Sequence, residues 1–299
     1  MTGYSFDWVD AFTEAPFGGN ACAVVHQAAN IPVETRTALV RETSLSECAY
    51  LVGSDKADFG VRYYLAEREI LMAGHPTIAT VASLIHRGMV DLSGGRAAFT
   101  LEVGAGVLEI EVETRGARPP LITMTQLAPS FGRTYETAEI ATMYGLETGD
   151  ITHPPQIVST GTPFCITVLK DHDALRRAVL DVPALERWRA KSGEQGASTM
   201  EPFLVTLDGA TSAGDTFSRL LLAPPMPAED PFTGSATGCM GAYLWRHRLI
   251  GQHFTAEQGH WMGRPGQASV ELLGAPDAIT GVKVGGSGVV LMEGTLHLG

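Results

Sequence analysis

Two stretches of the chain are apolar on more than one side, and each begins at a turn of small residues. Ala73-Gly74-His75-Pro76-Thr77 leads into IATVASLIHRGMV and predicts a helix ending near Arg87-Gly88. Thr233-Gly234-Ser235-Ala236-Thr237 leads into GCMGAYLWRHRLI and predicts a helix ending near His247-Arg248. A surface helix carries one apolar stripe, so helices without a broad polar face belong inside a domain. At an offset of 160 residues the two stretches share Gly74/Gly234, Thr77/Thr237, Ala82/Ala242 and Leu84/Leu244. Other segments echo in the same order. VGAGVLEIEVE (103–113) and VGGSGVVLMEG (284–294) are each a Gly-rich turn followed by alternating strand positions. VDAFTEAPFGGNACAVV (9–25) and IVSTGTPFCITVL (157–169) each read as strand, Pro-Phe turn, strand.

The pattern predicts an α+β protein of two similar domains, each a curled, mostly antiparallel sheet or barrel around one central helix. Turn residues and a single amphipathic helix at about 135–145 place the boundary within 126–156. The expected halves are therefore 1–125 and 126–299, with the last strand (284–299) either staying in the second half or crossing back to the first. The spacing of Val33, Leu39, Val40 and Leu45 predicts an outer helix over 33–45, and 172–191 reads as a helix pair broken at Pro183.

Composition narrows the functional classes. The 299 residues suit about two domains, and 44% hydrophobic against 18% charged residues supports a buried core. The net charge of −12 repels phosphate backbones and anionic lipid heads, which argues against nucleic-acid and membrane-surface partners. The opening MTGYSFDWVDAF has no basic segment followed by an apolar one, and no apolar run approaches the roughly 18 residues of a membrane span. Cys22, Cys48, Cys165 and Cys239 stand far apart, so neither a disulfide framework nor a metal site is expected. The expectation is a cytoplasmic protein acting on a small molecule.

Chemistry concentrates at the helix mouths. His75 sits where unsatisfied N–H groups and the helix dipole disfavour a protonated imidazole, so it is expected to be neutral, as a structural histidine or as a site residue. In DPFTGSATG, Asp230, Thr233 and Ser235 either cap the second helix or line a site. If the halves face each other about a pseudo-twofold, both helix ends point into one cleft suited to a small carboxylate, with Gly74 and Gly234 admitting the ligand close to the backbone. Glu47, beside the apolar run CAYLV, points outward on an alternating strand or inward to a pocket where burial would fit it for proton transfer. Dinucleotide, phosphate-loop and nucleophile-elbow signatures are absent.

DAFTEAPFGGNACAVV (10–25), LSECAYLV (45–52), MAGHPTIAT (72–80), EDPFTGSATG (229–238) and GRPG (263–266) resemble, in order and across the whole chain, the phenazine-biosynthesis isomerase-like (PhzF-like) family. The resemblance implies the diaminopimelate-epimerase-like fold with the active site between the halves. It also implies a homodimer, and an isomerase that needs no cofactor. By that likeness Glu47 is the general acid/base, with His75 and Asp230 beside it. Gly74, Thr233, Gly234 and Ser235 would contact substrate at the helix ends, and Asn20 would lie at the cleft. In the phenazine branch the reaction isomerises trans-2,3-dihydro-3-hydroxyanthranilate. Epimerases of the wider superfamily use two cysteines at the helix mouths, where this chain has Ala73 and Thr233. Other open readings are a non-enzymatic small-molecule binding module and an epimerase or racemase acting through other thiols. The Thr-Ser before LSE, next to the expected base, departs from the family's usual string and bears on which substrate fits.

Overall fold

The computed structural model describes residues 2–191 and 201–298. The first half runs β1 (Thr2–Ala11), β2 (Asn20–Val25), α1 (Val33–Thr43), β3 (Cys48–Val52), β4 (Phe59–Tyr64), β5 (Glu69–Ile70), α2 (His75–His86), β6 (Arg96–Val103), β7 (Gly106–Arg115) and β8 (Arg118–Gln126). After β9 (Ser130–Thr134) and α3 (Thr137–Tyr144) come β10 (Gln156–Ser159), β11 (Pro163–Val168), α4 (His172–Arg177), α5 (Val182–Lys191), β12 (Phe203–Thr206), β13 (Thr216–Leu221) and β14 (Glu229–Asp230). The chain finishes with α6 (Gly234–Arg246), β15 (His253–Gln258), β16 (Gly266–Ala275), β17 (Ala278–Gly286) and β18 (Gly288–Leu298).

Strand pairing repeats between the halves. In the first, β1 and β2 are antiparallel, β2 and β3 parallel, β3 and β4 antiparallel, β4 and β6 parallel, and β6, β7 and β8 antiparallel. The second follows the same sequence of senses through β10, β11, β12, β13, β15, β16 and β17. The central helices lie against the curled sheet: α2 on β1, β2, β8 and β18, α6 on β10, β11, β16 and β17. The apolar pattern explains their place, since residues 75–84 of α2 and 234–244 of α6 are all buried. Burying a single Leu or Ile side chain favours folding by about 1.5–3 kcal/mol, so neither helix is stable on a surface.

The halves are joined at two seams. β8 pairs with β17, and β18 runs antiparallel to β1 from Leu298 opposite Thr2 to Gly288 opposite Ala11. The last strand thus crosses back to the first, one of the two paths left open by the sequence. The outer helices cover the sheets: α1 lies over a cluster with Tyr50 and Tyr64, and α3, α4 and α5 over one with Tyr144 and Trp188. The pair in 172–191 breaks at 178–181 rather than at Pro183. Pro183 falls in the first turn of α5, where its missing N–H is not needed and the Asp181 carboxylate accepts from the Ala184 amide at 3.0 Å.

Candidate active site

Glu47 is the residue before β3, whose first residue, Cys48, pairs with Ala23 on one side and Tyr64 on the other. All of Cys48–Leu51 is buried, so this strand shows no alternation from which a neighbour's direction could be read. The Glu47 side chain turns inward, only 14% exposed, and its Oε2 lies 3.9 Å from Nδ1 of His75. Burial pushes its carboxyl well above the usual carboxylate range; the negative charge of Asp230 adds to this and Arg68 partly offsets it.

His75 opens α2 and is buried; burial alone pulls its imidazole down to about 3, so it is neutral at physiological pH, as expected. Asp230 ends β14 and is also buried. Its Oδ1 accepts from the Asn20 amide at 2.8 Å and its Oδ2 from the Thr233 hydroxyl at 2.6 Å. Burial raises Asp230 to about 6 against the pull of those two donors and of the Ser46 hydroxyl. Two carboxyls therefore share one enclosure with different partners. Asp230 has donors that hold its charge, whereas Glu47 has a buried Oε2 without a hydrogen bond and keeps its proton the longer.

Asn20, the first residue of β2, ties the halves together. Its amide nitrogen also donates to the Phe232 carbonyl at 2.9 Å and stands 3.2 Å from His75 Nδ1. That nitrogen has two protons for three acceptors, and the two shorter contacts take them. Among the described residues, Glu47 Oε2 and His75 Nε2 are buried polar atoms without a hydrogen-bond partner at this point, while the Ser46 hydroxyl faces Asp230. A buried polar atom left unpaired costs about 1–3 kcal/mol, so such a group marks a place where a ligand supplies partners.

The two helix tips meet. A Cβ placed on Gly74 would lie 2.5 Å from Gly234 Cα and closer still to the Ser235 amide nitrogen; one on Gly234 would lie 3.1 Å from Gly74 Cα. The face that Gly74 leaves bare is filled by the other tip, and that of Gly234 by the Phe12 ring, so neither position has room for a side chain. No side chain caps either helix. Thr233, the residue before α6, spends its hydroxyl on Asp230, and Ser235 is buried against Gly74.

Three contributors escaped the sequence reading. Gln258 of β15 donates to the Asp230 carbonyl at 2.8 Å and accepts from the Thr233 amide at 3.0 Å, holding the strand that carries Asp230. Buried Asp10 pairs with Arg264 at 2.7 Å, and Arg264 also donates to the Gly18 and Gly19 carbonyls, which fixes the loop delivering Asn20. Ser46 adds its hydroxyl. Asp10, Ser46 and Arg264 fall inside the motif strings, which gave no contact for any of them. The cysteines are not at the tips: all four are buried, and Cys239 sits one turn into α6, near Thr160 and the Thr162 carbonyl. Among the described residues no three His, Cys, Asp or Glu side chains are grouped to hold a metal ion, and no helix is long and apolar enough to cross a membrane.

Comparison with known proteins identifies a family. The PhzC-PhzF family, described as phenazine biosynthesis-like protein, matches residues 9–294. The chain belongs to that family. This phenazine biosynthesis-like chain is 30% identical over 298 residues to the uncharacterized isomerase YddE of Escherichia coli K12, covering 95% of each. It is 26% identical over 294 residues to trans-2,3-dihydro-3-hydroxyanthranilate isomerase of Pseudomonas fluorescens, covering 97% of this chain and 98% of that one. A PhzF-family protein of Bacillus anthracis superposes with a TM-score of 0.83 at 24% identity over 100% of both chains. The fold is of the diaminopimelate-epimerase-like kind, as the motifs implied, and the relatives' names make the chain an isomerase.

Proposed function

We propose that this isomerase moves a proton on a small carboxylated metabolite, amino- or hydroxy-substituted and possibly cyclic in skeleton, with Glu47 as general acid and base. The observation that carries the reading is the Glu47 carboxyl, buried, raised, and with an unpartnered oxygen beside neutral His75 and Asp230. A carboxyl that keeps its proton near neutrality gives it to one carbon and, as carboxylate, takes one from another. Such transfer supplies about 10²–10⁴ of rate, with positioning adding more. Asp230 keeps Glu47 protonated in the resting site, and its charge eases as substrate protons come and go. His75 and Ser235 orient the substrate's polar groups, while Thr233 and Asn20 hold the Asp230 carboxylate in place. The same reading takes the enzyme to be a cytoplasmic homodimer working without a cofactor. Ala73 and Thr233 at the tips supply no thiol, which speaks against a two-cysteine epimerase.

The test is solvent exchange. Incubation in D₂O with trans-2,3-dihydro-3-hydroxyanthranilate and a panel of cyclic and open-chain amino- and hydroxy-acids should place deuterium on carbon in at least one. Glu47→Gln should abolish that label while preserving binding. Full exchange in Glu47→Gln would end the assignment.

A further inference from the structure

The end of α2 opposite His75 carries a second set of buried polar groups, which proton transfer at Glu47 does not use. Ser83 lies about 12 Å along the helix from His75 at the helical rise. Arg87 follows the last turn, Asp7 is on β1, and His26 follows β2. Asp7, His26 and Ser83 are buried. The Arg87 guanidinium meets both Asp7 oxygens, Nε donating to Oδ2 at 2.8 Å and a terminal nitrogen to Oδ1 at 2.6 Å. The Ser83 hydroxyl donates to Oδ2 at 2.6 Å, and His26 Nε2 stands 2.8 Å from that hydroxyl and 3.2 Å from Oδ2. With the Ser83 proton spent on Asp7, Nε2 faces two acceptors and carries the ring's proton. Burial, with the charge of Arg87, holds the imidazole below its ordinary value against the pull of Asp7. The ring is therefore neutral at pH 7, and its Nδ1 is a bare acceptor.

That nitrogen makes no hydrogen bond among the described residues, yet it is not sealed in, and the 8% exposure of the His26 side chain lies toward a cavity of about 580 Å³. The volume is within the roughly 300–1,000 Å³ of small-molecule sites. Leu51, Phe59 and Met89 form its apolar wall, and Arg87, already neutralised by Asp7, is the charged side chain that lines it. The fold does not call for these groups. At the offset of 160 residues, Tyr243 and His247 hold the places of Ser83 and Arg87 in the second half. There Tyr243 donates to the Pro154 carbonyl at 2.8 Å and lies 4.4 Å from the His247 ring, with no buried charge between them. A buried ion pair is weak evidence of stability, and an acceptor almost withdrawn from water is completed by a donor. We propose that this end of the first half is a second small-molecule site, which takes an uncharged hydroxylated ring compound. Its O–H is donated to His26 Nδ1 and its ring lies against Leu51, Phe59 and Met89. The aromatic ring of Phe59 and the sulfur of Met89 both favour a flat ring as neighbour. The inference stands apart from the proton-transfer reading of Glu47.

The experiment reads His26 directly. Long-range ¹H–¹⁵N correlations of full-length protein labelled with ¹⁵N-histidine report which ring nitrogen carries the proton. His26 is identified by its disappearance in His26→Gln and, independently of whether that variant folds, by the displacement of its Nε2 signal in Ser83→Ala. Its Nδ1 should be unprotonated at pH 7. Titration with phenol should move the Nδ1 signal to saturation, whereas anisole, the same ring without the O–H, should need about tenfold more for the same occupancy. Exposed His297 is the internal control. A protonated Nδ1, an Nδ1 signal that answers anisole as it answers phenol, or one that moves only as His297 moves overturns the proposal. Glu47→Gln should leave the phenol response intact; its loss in that variant would put phenol at the Glu47 site and overturn a separate one.

Discussion

Replacing Gly74 by alanine adds one methyl group, and the structure says where it goes. The new Cβ would lie 2.5 Å from Gly234 Cα with the Ser235 amide nearer still, and both obstacles are backbone. An ordinary carbon–carbon contact is about 3.5 Å, so the tips must part by about 1 Å. Overpacking of that kind costs about 1–3 kcal/mol. Because the movement separates His75 from Asp230 and Thr233, a 1 Å displacement should also cost on the order of 10²-fold in turnover. Gly149→Ala is the control: nothing lies within 4 Å of its Cβ and no other strain attends it. Urea unfolding should lower the midpoint of Gly74→Ala at unchanged slope and leave Gly149→Ala within about 0.5 kcal/mol of the parent. Solvent exchange should be lost in the first and kept in the second. If both variants unfold with the parent and exchange at its rate, the tips do not meet as described.

Two further outcomes follow from the same site. Asp230 lies near 6 in the folded protein because burial outweighs its donors; as pH falls through that value it gains a proton and the charge opposite Glu47 disappears. The logarithm of kcat/KM should therefore fall on the acid side with a midpoint near 6, and Asp230→Asn should remove that limb while lowering the plateau; a limb that persists in Asp230→Asn refutes the assignment. The cysteines should be inert. Burial pushes Cys48 to about 12 and Cys239 to about 11, leaving almost no thiolate at pH 7. Iodoacetamide on native enzyme should leave activity unchanged over hours, and prompt inactivation would bring back a thiol-based epimerase.

How much of this was legible beforehand depended on the range of each contact. The two central helices were readable because burial on all sides leaves its mark in consecutive residues. His75 could be called neutral from its place at a helix mouth, although burial turns out to be the larger cause. Glu47 could not be oriented, since β3 is buried on both faces and offers no alternation. That Gly74 packs on Gly234 and Gly234 on Phe12 was not legible, since neighbours 160 and more residues away in sequence are invisible to a local pattern. Gln258 and the Asp10–Arg264 pair were missed for the same reason: Arg264 reaches back 254 residues to Asp10.

The central claim is that Glu47 keeps its proton beside an ionised Asp230. The direct test is a ¹³C NMR titration of protein labelled at the carboxyl carbons of Asp and Glu, with Glu47 and Asp230 identified through Glu47→Gln and Asp230→Asn. Asp230 should lose its proton first, near pH 6, with Glu47 following only at higher pH and moving earlier when Asp230 is Asn. A Glu47 signal that titrates at the ordinary value of 4.5, ahead of Asp230, would contradict the account.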